Sequence, residues 1–205
     1  MTRIATEKGR IRKWLLERRN KLSADEIYEK SQFIQHHVLN SQQFLKSGTV
    51  GAYIPIGSEV RTEEIIQNAI GTGKKVALPR IESEGIKFYQ LYDKNFKIEE
   101  MVLGKFGVKE QPYIGRKVNR IDLLIVPGIG FDNQGSRIGY GRGYFDKYLR
   151  RSKVSFSMGL GYEFQLVPCD LPQTALDRPI DGLSIETGLV NFKSKTKPYQ
   201  SLFSY

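Results

Sequence analysis

The apolar positions change their period several times along the chain. From Ile121 to Val126 they run almost unbroken, with only Asp122 intervening, the pattern of a buried strand that Pro127 and Gly128 stop. Val154, Phe156, Met158 and Leu160 alternate with polar residues and predict a second strand. Shorter runs predict strands from Thr49 to Ile54, from Gly73 to a proline stop at Pro79, from Ile86 to Leu91, and a last one from Ile185 to Val190. Between them the spacing becomes helical. Ile11, Trp14 and Leu15 form an apolar stripe on a helix from about Glu7 to Arg19. Ser23 and Glu26 make a capping box that starts a helix reaching about Phe44, with Ile27, Phe33, Ile34, Val38 and Leu39 available for burial. Thr62 is an expected N-cap for a helix carrying Ile65, Ile66, Ala69 and Ile70, and a final helix runs from about Gly143 to Arg151. Strands alternating with helices predict an α/β fold: a three-layer, mostly parallel sheet with helices on both faces, Rossmann-like, with extra N-terminal helices. The whole chain, 1–205, is expected to be one domain.

Composition narrows the classes of function. With 40% hydrophobic and 26% charged residues the chain has an ordinary globular composition, and no apolar run approaches the length of a membrane helix. The stretch from Met1 to Trp14 is polar and basic, without the apolar segment of a secretory signal. The single cysteine, Cys169, cannot form an internal disulfide, which fits a reducing cytoplasm. His36 and His37 have no ligating pattern around them and are expected at the surface. The net charge of +10 suits an anionic partner. Because the cations are scattered and not gathered with aromatics into one stripe, small anionic ligands are favoured over nucleic acid.

The densest candidate chemistry follows the Ile121–Val126 strand. Gly139-Tyr140-Gly141-Arg142-Gly143 leads from a polar turn into Tyr144-Phe145-Asp146, the start of a helix. Such a connection lets backbone N–H groups approach an anion, with the positive helix end behind them. Arg137 and Arg142 add permanent charge, and Asp146 could hold a hard cation accompanying a polyphosphate. This is an ATP–Mg²⁺ pattern, although glycines at this spacing alone equally describe a surface turn, and neither of the familiar phosphate fingerprints is matched. Glu59 lies between a strand end and a helix start, where α/β sheets gather ligand contacts. Lys8 and Arg12, four apart, share a helix face.

The run from Pro127 to Leu149 resembles the signature of the 5-formyltetrahydrofolate cyclo-ligase family: proline, Phe-Asp, glycine, then Arg-Leu/Ile-Gly-x-Gly-x-Gly-Tyr-Tyr/Phe-Asp. Lys8-Gly-Arg-Ile-Arg12 is similar to that family's Lys-x-x-x-Arg, Glu59-Val-Arg-Thr62 to its Glu-Val-x-Thr, and Gly104 to Pro112 to its Gly-Ile-x-Glu-Pro with Gln111 inserted. The resemblance implies ATP-driven cyclisation of 5-formyltetrahydrofolate, with or without a polyglutamate tail, to 5,10-methenyltetrahydrofolate by a cytoplasmic monomer that uses ATP and Mg²⁺. It implies ATP contacts from Lys8, Arg12 and the run Arg137, Ile138, Gly139, Tyr140, Gly141, Arg142, Gly143, Tyr144 and Phe145, with Arg137, Arg142 and Tyr144 serving catalysis. It implies folate contacts from Ile54, Glu59, Tyr140 and Tyr144, and metal ligation by Asp146 and Asp177. Leu176 replaces the histidine that usually precedes this last aspartate, which leaves open whether Asp177 or Asp181 lies nearer the metal. A silent binding protein of the same fold and a basic RNA-associated protein are the alternatives.

Overall fold

A computed structural model describes residues 2–91, 97–104, 109–112 and 114–193. Helix α1 (Arg3–Arg19) opens the chain, and Ser23 then starts α2 (Ala24–Leu39) with both bonds of the expected capping box. The helix expected to reach Phe44 stops at Asn40. Ser41 caps a separate short helix, α3 (Gln42–Lys46), by accepting the Phe44 N–H. Strand β1 (Thr49–Gly51) and helix α4 (Glu63–Gly71) follow. Thr62 stands at the N-cap position of α4 as expected but makes no side-chain capping bond; its hydroxyl donates instead to the Tyr53 carbonyl at 2.8 Å and so ties the loop after β1 to the helix start.

Strands β2 (Lys75–Glu82) and β3 (Gly85–Gln90) form an antiparallel hairpin, and the short ribbon β4 (Val102–Leu103) with β5 (Lys109–Glu110) comes next. The proline expected to end β2 lies within it. Residues 77 and 79 face the β1 side of the strand, and β1 has already left the sheet beyond Ala52, so the missing N–H of Pro79 forfeits no ladder bond. One step on, Glu110 accepts the Ile81 N–H at 3.0 Å. Of the segment Gly104 to Pro112, residues 105–108 lie outside the described residues, as does the tail from 194.

The long strand β6 (Arg120–Pro127) leads to a ribbon, β7 (Gly130–Phe131) with β8 (Arg137–Ile138), and then to α5 (Tyr144–Arg151). Strand β9 (Lys153–Leu160) is followed by β10 (Gly182–Ile185) and β11 (Gly188–Asn191). The last two form a hairpin where a single strand was expected. Gly188, with φ of 147°, turns the chain in a conformation that side-chain-bearing residues rarely adopt.

The seven strands order as β11-β10-β9-β6-β1-β2-β3, with the inner five parallel and both edges antiparallel. Ile27, Ile34 and Val38 of α2 and Ile65, Ile66 and Ala69 of α4 pack one face, and Tyr148 of α5 packs the other against Phe88, with ring centroids 4.8 Å apart. Helix α1 instead lies over the carboxyl end of the sheet, where Leu15 is buried with Ile129 and Ile138. Trp14 and Phe33, expected to pack, are 53% and 60% exposed. Each stands about 100° around its helix from the neighbouring buried residue, Leu15 or Ile34. His36 is exposed, whereas His37 is half-buried with Nε2 3.1 Å from the Glu186 carbonyl.

Asp132 is the buried anchor of the β7–β8 ribbon. Its Oδ1 accepts the N–H groups of Gln134 and Ser136 at 2.9 and 2.8 Å, and its Oδ2 accepts that of Leu171 at 2.9 Å. Asp132→Asn would set an amide donor against the Leu171 N–H. A loss of about 1–3 kcal/mol in urea unfolding is expected, and unchanged stability would remove this role.

Candidate functional site

The carboxyl ends of β1 and β6 open onto a cleft of about 580 Å³. The structure brings every candidate named from the sequence except Asp181 into its wall: Lys8 and Arg12 from α1, Ile54 and Glu59 from the loop after β1, the run Arg137 to Asp146, and Asp177. A parallel sheet makes this possible, since each strand delivers its following loop to the same edge.

The glycine loop is held from two sides. Arg12 Nε donates to the Gly139 carbonyl at 2.8 Å from outside. From inside, Arg137 folds back beneath it, donating from Nη1 to the Pro127 carbonyl at 3.0 Å and from Nη2 to Asp146 Oδ2 at 3.1 Å. A Cβ at Gly139 would stand 2.9 Å from Arg137 Nη1, so a larger residue there would push the guanidinium aside. Gly141, at φ of 100°, turns the chain and leaves the N–H groups of Gly139, Tyr140 and Gly141 without a hydrogen-bond partner among the described residues. Arg142 is exposed at the tip of the loop. Tyr144 and Phe145 are half-buried at the start of α5, and the Arg137 guanidinium lies 5.8 Å from the Phe145 ring centroid. An anion entering here meets loop N–H groups, a helix N-terminus and several cations.

Asp146 is not the unpaired cleft carboxylate that its sequence position suggests. The Arg137 side chain it pairs with is 4% exposed, and its Oδ1 accepts the Arg178 N–H at 3.2 Å. That second bond docks the turn Thr174–Arg178 on α5 and brings Asp177 to the same wall. Asp177 Oδ2 accepts from Lys8 Nζ at 2.5 Å and from the Thr174 N–H and hydroxyl. Burial works to raise the Asp177 carboxyl, but the Lys8 ammonium and the Thr174 bonds outweigh it and hold it below the usual range. Asp181 faces elsewhere, accepting from the Ser157 N–H and hydroxyl and pairing with Lys193. Among the described residues no three ligating side chains cluster. A magnesium ion held by one or two carboxylates and the phosphates it accompanies does not require such a cluster, and Asp146 with Asp177 fits that pattern.

Across the cleft, Glu59 is 4% exposed, and its Oε2 accepts the Ile56 N–H at 2.9 Å. Burial pushes its carboxyl above the usual range, against the opposing pull of Arg19, the Ile56 N–H and Tyr140. Tyr53 is buried beside it and is also raised, by burial and then by the Glu59 charge. Ile54 is buried, and the Tyr140 ring is half-exposed. This wall is apolar with one buried carboxylate, and the opposite wall is cationic.

Arg19 was missed from the sequence. It is 2% exposed, beneath both Glu59 and the glycine loop. A signal was available: Lys8, Arg12, Leu15 and Arg19 stand at i, i+4, i+7 and i+11, one face of α1.

A model of the 5-formyltetrahydrofolate cyclo-ligase family matches residues 4–186. The 5-formyltetrahydrofolate cyclo-ligase of Mus musculus is 27% identical over 201 residues, covering 89% of this chain and 95% of its own. That of Haemophilus influenzae is 27% identical over 179 residues, covering 85% and 95%. The solved 5,10-methenyltetrahydrofolate synthetase of Aquifex aeolicus superposes with a TM-score of 0.80 at 30% identity, covering 97% of this chain and 99% of that one.

Proposed function

We propose that this chain, which belongs to the 5-formyltetrahydrofolate cyclo-ligase family, uses ATP to close 5-formyltetrahydrofolate to 5,10-methenyltetrahydrofolate through a phosphorylated formyl intermediate. One observation carries the ATP-dependent part. Lys8, Arg12, Arg137 and Arg142 gather around loop N–H groups that have no partner among the described residues, on one wall of a cleft whose other wall holds an apolar floor and the buried Glu59.

In this reaction the formyl oxygen attacks the γ-phosphorus and ADP leaves. N10 then attacks the activated formyl carbon, its proton is lost, and phosphate departs with the oxygen as the ring closes. No nucleophilic side chain is required. The protein's contribution is to hold the two substrates in line and to neutralise charge on the phosphoryl group. Arg137 and Arg142 lie beside the loop where the phosphates would rest, and Lys8 and Arg12 cover them from α1. Tyr140 and Tyr144 offer ring faces, and with Ile54 they enclose the folate whose polar edge Glu59 would bind. Asp146 and Asp177 would hold magnesium, which when bound supplies further neutralisation of the phosphates. Arg137 and Lys8 are the ion-pair partners of those carboxylates, which keeps both cations beside the loop where the phosphates would rest.

The direct test follows methenyl absorbance from 5-formyltetrahydrofolate with ATP, with ADP and with neither. Formation only with ATP, with one ADP released per product, is expected; equal formation without ATP would overturn the proposal. Within it, Glu59→Gln should raise the folate KM or lower kcat by roughly tenfold or more, as loss of a hydrogen-bonded charge does, with the ATP KM within about twofold of its original value. Normal folate kinetics in that variant would remove Glu59 from the folate site.

A further inference from the structure

We infer that Arg19 is a positioning residue that locks the loop bearing Glu59 to the glycine loop and sets a buried positive charge behind that carboxylate, so that substrate recognition depends on a cation placed behind the site. The inference rests on the role proposed for Glu59 above.

The guanidinium sits at a junction of three segments. Nε donates to Ser58 Oγ at 3.1 Å in the loop that bears Glu59, and Nη1 donates to the Gly128 carbonyl after β6 at 3.4 Å. Nη2 donates to the Tyr140 hydroxyl at 2.5 Å in the glycine loop. The Tyr140 ring lies 5.7 Å from the guanidinium carbon. Ser58 in turn donates to Asn20 Oδ1 at 2.6 Å, which fixes the same loop to the end of α1.

Tyr140 lies between the two charges: its hydroxyl accepts from the guanidinium and feels the Glu59 carboxylate. Burial raises the Tyr140 hydroxyl, as does the Glu59 charge, so it stays protonated. The guanidinium and the protonated hydroxyl both favour the ionised form of the carboxylate. The other titratable neighbours do not serve that purpose. Tyr53 and Tyr162 are buried and raised, Tyr162 to about 12, and neither brings positive charge; Tyr162 donates instead to the Ser58 carbonyl at 3.1 Å. Glu63, at the start of α4, adds only negative charge near Tyr53. Arg19 is the positive group acting on Glu59, against a desolvation that favours protonation. A fully charged arginine 98% removed from solvent is costly, and one placed merely to fill space would be replaced at no loss by an apolar residue.

The test compares Arg19→Met, Arg19→Lys and Tyr140→Phe with the unmodified enzyme across pH, measuring kcat/KM for 5-formyltetrahydrofolate at saturating ATP and the KM for ATP. The Glu59 carboxyl is followed in parallel by carbon NMR of glutamate-labelled protein, its signal identified by loss in Glu59→Gln. The sign is fixed by the direction of each influence. Removing the cation leaves burial opposed only by the Ile56 N–H and Tyr140, so the Glu59 titration and the acid limb of kcat/KM should both move to higher pH. Arg19→Met should move them by about one pH unit or more, lowering folate kcat/KM near neutrality roughly tenfold with the ATP KM little changed. Tyr140→Phe should move the titration the same way by less, and Arg19→Lys should restore most of it. If Arg19→Met is too unstable to study, the Tyr140→Phe and Arg19→Lys titrations decide alone. A Glu59 titration unmoved in these variants, with only thermal stability reduced, would overturn the inference while leaving the role of Glu59 intact. Unchanged folate kinetics in Glu59→Gln would instead show that the underlying folate assignment had failed.

Discussion

Asp146→Asn is expected to lower kcat by roughly 100-fold or more, the scale of losing one charge-stabilising group in an active site, and to raise the magnesium concentration needed for half-maximal turnover. It should also weaken the fold, because the Arg137 side chain is 4% exposed and Asp146 is its ion-pair partner. Removing one partner of a buried pair costs about 3–5 kcal/mol. Asparagine keeps an oxygen for either Arg137 or the Arg178 N–H but not the charge, so a loss of about 1–3 kcal/mol is expected. Urea unfolding and turnover as a function of magnesium separate the two effects. A stability role alone predicts that turnover returns at low temperature, where the folded fraction is complete, without any change in magnesium requirement. Raised magnesium demand from a fully folded variant marks the carboxylate as a ligand. Turnover near the original value at limiting magnesium would remove Asp146 from the metal site.

That coupling of site and stability was hidden from the sequence for a physical reason. Spacing after the glycines places Asp146 at a helix start, but only the fold shows Arg137 turning beneath the loop to meet it. Local chemistry was legible: the glycine loop, the Lys8 and Arg12 face, and Glu59 at a strand end all depend on residues near one another in sequence or on the general habit of parallel sheets. Contacts between distant segments were not. Asp177 reaches the cleft through two distant contacts, the Arg178 N–H that docks its turn on Asp146 and the Lys8 ammonium that holds its carboxylate, while Leu176 before it is 62% exposed. Arg19 reads as one more cation at a helix end, where basic residues suit the dipole, and beside the exposed Arg18 it carries no mark except its place on the Leu15 face. The strand limits failed for similar reasons. Pro79 stays in β2 because its missing donor faces a gap in the sheet, and the break after Asn40 answers to the Ser41 cap, which competes locally with helix continuation.

Arg137 joins the stability of the site to its charge, and Arg137→Lys tests its geometry apart from its charge. Lysine preserves the positive charge but offers a single ammonium in place of a planar fork. The fork is used here at both ends, Nη1 on the Pro127 carbonyl and Nη2 on Asp146, while Nε is buried with no partner among the described residues. An ammonium cannot satisfy both acceptors at those positions, so the end of β6 or the start of α5 loses its tie. About 2–3 kcal/mol of stability should go with it, as for a hydrogen bond to a charged group. If Arg137 also neutralises the phosphoryl group, kcat should fall by about 100-fold or more even at temperatures where the variant is fully folded. The ATP KM should rise less, since charge stabilised only during transfer affects kcat more than ground-state binding. Arg137→Gln should be comparably destabilised and slower still, because it loses the charge as well. Equal turnover in the lysine and glutamine variants would show that charge is immaterial at this position and that Arg137 serves only to tie β6 to α5; lysine clearly exceeding glutamine, with both far below arginine, is the expected order.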